Sequence, residues 1–375
     1  MKPAISNVDL FVTEECNLDC KYCFHPKGAQ TLTIDNMKKI VDKLAILCAK
    51  KITLNFWGGE PLLYPEVVIK TIEYASKFWH KDNFRPTLVT NGTIYDNDLF
   101  KTLKKHNVEI QVSLDGDADT NEKVRGKTQL VADNIKRILT NFPNTSVRMT
   151  YLPENVHRLV QNILFIKNLG VKRVMHQAAI EEDWNNEAVK TYAEQMETLF
   201  KMRLKHADLG VSFVDKGLNI CDDKQRIDLG YCGAGRELIA VLPDGSVYPC
   251  HRAASNKLFK LGSILEGNII RGMFLNIDKA STGCTNCKAW KHCHTCLMTH
   301  YQVNKKLEIP VKNYCKLMVV EAMLAHKYLP LLKGANRDVV LKNMATVIAD
   351  MAEEIAEIKK MVAEIQKGDK SEVKS

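Results

Sequence analysis

Three cysteines fall within eight residues near the start of the chain, in EECNLDCKYCF, residues 14 to 24. Cys16, Cys20 and Cys23 are spaced C-x3-C-x2-C. A structural zinc site normally takes four ligands, often arranged in C-x2-C pairs. Iron–sulfur clusters are also held by closely spaced cysteines. A four-iron cube held by three protein thiolates would leave one iron open. An open metal position is a catalytic feature, because a substrate or cofactor can bind there.

The elements that position this loop are legible around it. It directly follows the apolar run VDLFVT. From residue 8 to about 200, strand-like runs (VDLFVT, KITLNFW, PTLVT, VEIQVSL, SVRMTYL, VKRVMHQ) alternate with helical patterns such as TIDNMKKIVDKLAILCAKK and LVQNILFIKNLG. That alternation predicts an α/β fold with a parallel sheet and right-handed crossovers. Six such units point to a partial (β/α)6 TIM barrel rather than a closed eight-fold one. Residues at the carboxyl ends of its strands should line the site. The second strand ends in WGGEP, with Gly58, Gly59, Glu60 and Pro61. Two glycines permit close backbone approach, and Glu60 can accept a hydrogen bond from an ammonium. The third ends in TNG (Thr90, Asn91, Gly92) and the fourth in SLDG (Ser113 to Gly116).

From about residue 225 to 320 regular periodicity gives way to cysteine, glycine and turn signals, as in LPDGSVYPC. Here lie Cys232, Cys250, Cys284, Cys287, Cys293, Cys296 and Cys315. The paired C-x2-C spacings alone permit structural zincs as readily as other metal centres. Metal ligation could supply stability that a small core lacks.

Taken together, these motifs resemble the radical S-adenosylmethionine (SAM) enzymes. Cys16, Cys20, Cys23 and the aromatic Tyr22 match that family's cluster-binding signature. WGGEP resembles its motif for the methionine amino group. Thr90, Asn91, Ser113 and Asp115 occupy positions resembling its contacts to the SAM ribose and carboxylate, with Arg125 a further carboxylate partner. The resemblance spans roughly residues 8 to 200 in the right order. It implies a [4Fe-4S] cluster whose open iron chelates SAM, and a 5′-deoxyadenosyl radical that abstracts a substrate hydrogen. It also implies an external reductant such as a flavodoxin or ferredoxin.

The second cysteine field resembles the seven-cysteine SPASM extension of the same enzymes. It departs once, with two residues rather than three before Cys296. By that resemblance Cys284, Cys287, Cys293 and Cys315 hold one auxiliary iron–sulfur cluster. Cys232, Cys250 and Cys296 hold a second, for which either Cys221 or a substrate thiolate supplies the missing ligand. Cys221 is equally readable as a hydrogen-atom donor or an inert thiol. His251, directly after Cys250, stands where sulfatase-maturing relatives carry an aspartate base, and histidine can also take a proton near neutral pH. A structural role for its ring beside the cluster is an equal alternative. Cys48 reads as a small buried hydrophobe on the first helix.

SPASM with GGEP implies a peptide or protein substrate. The leading expectation is a maturase of ribosomally made peptides, forming a thioether or C–C cross-link. A sulfatase-type maturase, a peptide epimerase and a zinc-bearing binding protein are the alternatives. The first strand starts within ten residues of Met1, so no N-terminal leader-gripping module is expected. Carboxylates in HQAAIEEDWNNE, residues 176 to 187, follow the sixth strand and read as an acidic loop near the mouth.

Composition agrees with a globular protein. The 375 residues are 45% hydrophobic and 26% charged, with twelve cysteines. Clustered thiols at that number suit metal binding in a reducing compartment. The net charge of +9 is mostly lysine spread over helices, a solvated surface rather than a nucleic-acid footprint. No run is long enough to span a bilayer and no signal-peptide core opens the chain, so the cytoplasm is expected. The divisions expected are 1–210 for the barrel, 211–325 for the SPASM region and 326–375 for a C-terminal helix and tail. Apolar residues from Leu341 to Ile365 keep a heptad spacing, which suits packing on the same chain, a dimer or a partner.

Overall fold

The computed structural model describes residues 4–25, 28–206, 210–211, 232–275, 284, 287, 289, 293 and 296–332. The six apolar runs are six strands: β1 (Ile5–Thr13), β2 (Cys48–Gly58), β3 (Phe84–Thr90), β4 (Glu109–Ser113), β5 (Ser146–Tyr151) and β6 (Arg173–Ala178). Each pairs in parallel with its successor. Parallel neighbours need a crossover rather than a tight turn. The crossovers are α1 (Ile34–Leu47), α2 (Pro65–Ala75), α3 (Asn97–Lys105), α4 (Ala118–Val124) with α5 (Thr128–Asn141), and α6 (Leu159–Asn168); α7 (Asn186–Lys205) follows β6.

Local chemistry explains where these helices start. Thr33 Oγ1 accepts from Asn36 N at 3.2 Å, Asp96 Oδ1 from Leu99 N at 2.8 Å and Asn185 Oδ1 from Ala188 N at 2.9 Å. Each cap satisfies an N–H that the first helical turn leaves free. α1 buries Met37, Ile40, Val41 and Leu44, a stripe at helical spacing. The helix ends at Leu47, so Cys48 opens β2 opposite Ile5 instead of lying on the helix's apolar face. It remains a half-buried thiol, pushed up to about 12 by burial.

The cysteine-rich segment continues the barrel sheet. β8 (Leu238–Val241) runs parallel to β1 along the edge that β2 leaves open. Ser6 N and Asn7 N both bond to Glu237 O at 2.9 Å. β9 (Ser246–Tyr248) and β10 (Gly262–Ser263) follow in antiparallel order, while β7 (Gly210–Val211) extends the far edge beside β6. The β8–β9 turn uses Gly245 at φ +82° and Asp244, whose side chain accepts from Ser246 N at 2.8 Å. The described sheet therefore has ten strands in the order β10-β9-β8-β1-β2-β3-β4-β5-β6-β7.

Three further helices are α8 (Gly272–Leu275), α9 (Leu297–Asn304) and α10 (Lys312–Leu332). α10 packs on α7, with Tyr328 stacked on Phe200 at 5.4 Å, Lys327 Nζ 2.7 Å from Glu197 and Tyr192 donating to Glu321 at 2.5 Å. Among the described residues no helix is long and apolar enough to cross a membrane. Cys221 and the heptad stretch lie outside the described residues.

Candidate active site

The carboxyl ends of β1 to β6 surround a cavity of about 170 Å3. Of the residues singled out by the sequence, Cys16, Cys20, Tyr22, Cys23, Gly58, Gly59, Thr90, Asn91, Ser113, Arg125 and His251 line it. Glu60, Pro61 and Asp115 are buried behind that wall.

The glycines bring the end of β2 against the cysteine loop itself. Gly59 N donates to Thr13 O and Glu60 N to Glu15 O, both at 2.8 Å. A Cβ on Gly59 would stand 1.9 Å from Glu15 O. Gly58 adds a φ of +129° that only glycine holds without strain. The Glu60 carboxylate accepts from Leu62 N at 3.0 Å, Thr90 Oγ1 at 2.8 Å and Asn91 N at 2.6 Å. It thereby joins the ends of β2 and β3, leaving room on Oε2 for one more donor. Burial pushes its pKa up to about 7. Asn91 Nδ2 completes the tie to the loop, 2.8 Å from Asn17 Oδ1 and 3.8 Å from Cys16 Sγ.

A second knot holds the other end of the loop. Lys21 N donates to Val124 O at 2.8 Å. Tyr22 donates its hydroxyl to Asp115, and Arg125 donates to Tyr22 at 2.5 Å and to Asp115 Oδ2 at 3.3 Å. Asp115 also accepts from Thr150 N at 2.8 Å. Arg125 Nη1 lies 3.7 Å from Cys20 Sγ. Burial alone would lower the Arg125 pKa, but Asp115, Tyr22 and Cys20 hold it above the ordinary guanidinium value. Its charge is thus matched within the protein.

Facing this wall is a group that sequence reasoning largely missed. His251 Nδ1 is 2.7 Å from Asp9 Oδ2, and Asn55 Nδ2 holds the other Asp9 oxygen at 2.9 Å. The His251 ring stacks on Trp57 at 4.3 Å, and Trp57 Nε1 donates to His25 Nε2 at 2.8 Å. Burial lowers the His25 pKa to about 3. Arg252 lies over the Phe24 ring and pairs with Glu181. Arg148 reaches Gln177 across β5 and β6. The signal available was a charged residue inside an apolar strand, Asp9 in VDLFVT; Arg148 in SVRMTYL falls on the alternating half-buried face of β5 and gave none. The acidic loop after β6 is largely committed to the protein, with Glu181 on Arg252 and Asp183 on Asn313.

Residues 10–166 match the radical SAM superfamily. That stretch is a radical SAM domain. It is 25% identical over 331 residues to the radical SAM cyclopropyl synthase TigE of Paramaledivibacter caminithermalis, covering 77% of this chain and 67% of that protein. It is 24% identical over 334 residues to a cysteine-type anaerobic sulfatase-maturating enzyme of Clostridium novyi, covering 79% and 86%. The fold is similar to native anSMEcpe solved with bound AdoMet and Kp18Cys peptide, with a TM-score of 0.73 at 17% identity over 87% of this chain and 99% of that one.

Radical SAM enzymes use SAM and a [4Fe-4S] cluster, and the donor set beside the cavity fits such a group. Burial raises the Cys16 pKa and pushes Cys20 up to about 11. A bound metal inverts that preference and deprotonates its thiols. The N–H donors of Asn91 and Arg125 next to Cys16 and Cys20 suit iron-bound sulfurs, whose potential such hydrogen bonds tune.

Six of the seven thiols of the second cysteine field interact within two sets of three. Cys250 feels the charge of Cys296 and Cys232, and Cys232 feels that of Cys296. Cys315 feels Cys284 and Cys287. The short spacing before Cys296 therefore leaves it in the same neighbourhood as Cys232 and Cys250. Burial pushes Cys315 up to about 12. None of these thiols lines the cavity. Among the described residues, no three metal-ligating side chains converge as tightly as a single ion requires.

Proposed function

We propose that this radical SAM enzyme is a maturase of a ribosomally made peptide, forming a thioether or a C–C cross-link. One observation carries the reading: the cysteine loop and the Asp9–His251–Trp57 stack face each other across a single cavity. Cys16, Cys20 and Cys23 would hold the cluster. Tyr22, Gly58, Gly59, Thr90, Asn91, Ser113 and Arg125 would meet SAM, supported from behind by Glu60, Pro61 and Asp115. When bound, SAM and the reduced cluster supply a 5′-deoxyadenosyl radical, and the electron comes from a flavodoxin or ferredoxin. The protein's own part is to fix one peptide carbon in the cavity and to keep water and oxidants out. Asp9 occupies Nδ1 of His251, so a proton exchanged with the cavity would pass through Nε2.

Two auxiliary iron–sulfur clusters complete the proposal. Cys284, Cys287, Cys293 and Cys315 would hold one; Cys232, Cys250 and Cys296, with Cys221 or a substrate thiolate, would hold the other. They would accept the electron released when the peptide is oxidised. Residues 1–210, 211–325 and 326–375 would act as barrel, cluster region and C-terminal helix with tail, in the cytoplasm. The name of TigE, a cyclopropyl synthase, favours carbon-centred bond formation, and the peptide held by anSMEcpe favours a peptide substrate.

A sulfatase-type maturation is the second reading, favoured by the Clostridium novyi relative. His251 in place of that group's aspartate argues against it. The deciding measurement compares small peptides from cells making the intact enzyme and the Cys16→Ala/Cys20→Ala/Cys23→Ala variant. A peptide lighter by two hydrogens with the intact enzyme alone is the expected result. A formylglycine-bearing protein instead would establish the second reading.

A further inference from the structure

Three arginines reach the cavity, and two of them are neutralised. Arg125 is matched by Asp115 and Arg252 by Glu181. Arg148, on β5, is different. Its guanidinium donates through Nη2 to Gln177 Oε1 on β6. Thr150, two residues along β5, is registered opposite Gln177, so Arg148 and Gln177 are diagonal neighbours on one face. Both line the cavity. Among the described residues no carboxylate stands within ion-pair distance of Arg148. Asp9 acts on it at a distance and is already held by Asn55 and His251.

A buried charge without a counterion is costly. Burial and the fields of Arg252 and Arg125 all disfavour the Arg148 cation. Yet a guanidinium stays protonated in proteins and offers five N–H donors in a planar fork. Gln177 accepts one of them and fixes the plane. The donors that remain toward the cavity match the two oxygens of a carboxylate.

We propose that Arg148, oriented by Gln177, binds a carboxylate of the peptide substrate and so sets which residue faces the reacting centre. This rests on the peptide reading above. The same chemistry could be met by the methionyl carboxylate of SAM, and the test separates the two.

Cluster-loaded, full-length enzyme is immobilised anaerobically with SAM and exposed to randomised short acetylated peptides, one library amidated at the C-terminus and one free. Retained peptides are sequenced by mass spectrometry, and the SAM dissociation constant is measured for each variant. The wild type is expected to enrich Asp or Glu, or the free C-terminus, by about tenfold, the worth of a charge-assisted hydrogen bond. Arg148→Gln should abolish the preference and Arg148→Lys keep part of it. Gln177→Glu, which leaves Arg148 in place but neutralises it, should abolish it too and guards against misfolding of the first variant. SAM affinity should be unchanged throughout. Retention without acidic preference overturns the anchor alone. A preference surviving both Arg148→Gln and Gln177→Glu does the same. Weakened SAM binding with the peptide preference intact assigns the fork to SAM and overturns the proposal. Retention of no peptide at all defeats the peptide reading itself, and the anchor with it.

Discussion

The two cysteine fields solve different problems with the same side chain. Cys16, Cys20 and Cys23 sit in one loop that the barrel already holds, through Gly59, Glu60 and Lys21 amides and the Asn91 and Arg125 side chains. The second field draws on distant segments: Cys232 before β8, Cys250 after β9, Cys296 at the start of α9 and Cys315 in α10. Closing long loops costs more entropy than ordering one short turn. A metal centre joining those segments would therefore contribute to folding, whereas one in the first loop finds its geometry nearly made.

The sharpest way to break this contrast is to remove each field in turn. Cys284→Ala/Cys287→Ala should lower the melting midpoint by roughly 10 °C, the consequence of losing several kcal/mol of metal-linked folding energy. The Cys16→Ala/Cys20→Ala/Cys23→Ala variant should melt within about 2 °C of the wild type yet cleave no SAM. Anaerobic calorimetry with an assay for 5′-deoxyadenosine reads both; equal drops would erase the distinction.

Next in size is Asp115→Asn, which leaves Arg125 buried without its counter-charge beside Cys20. A loss of about 3 kcal/mol is expected from the urea midpoint, as for other broken buried pairs. Gly59→Ala should cost roughly 2 kcal/mol, because its Cβ meets Glu15 O at 1.9 Å. Gly272→Ala, where nothing lies within 4 Å, is the neutral control. If both glycine variants behave alike in urea, the loop is not held as described.

The smallest effect probes a buried histidine on β6. His176, on β6 beside Tyr151, has both ring nitrogens buried without a partner, and burial lowers its pKa to about 4. Between about pH 4 and 6.5 the unfolded chain binds a proton there that the folded chain does not. Its contribution is complete above the unfolded value and is lost as pH falls through that window. His176→Phe should flatten this slope and add about 1 kcal/mol near neutral pH by removing two orphaned polar atoms. An unchanged slope in urea titrations at stepped pH would show that His176 protonates freely.

Much of this molecule is readable in its residues, and the unreadable part has a common cause. The six strands and the C-x3-C-x2-C loop are local, and local periodicity finds them. So is the placement of GGEP, TNG and SLDG at successive strand ends. Glu60 was legible as a functional carboxylate, but not as the clasp between β2 and β3, because its partners Thr90 and Asn91 arrive from another strand. Asp9 in VDLFVT was visibly out of place in an apolar run. Nothing in the sequence names His251, more than two hundred residues away, as its partner. The helix-to-strand change at Cys48 was missed because apolar residues run through it without a turn signal.

The pairing of β1 with β8 also bears on how the chain is made. β1 leaves the ribosome before β2 and can meet it once residue 58 is free, but its other edge must wait for residues 238 to 241. Through that interval a flat strand edge carrying Val8, Leu10 and Val12 is available to the wrong neighbour, in this chain or another. A nascent chain that stalls before β8 therefore presents an unpaired strand edge on which aggregation can start.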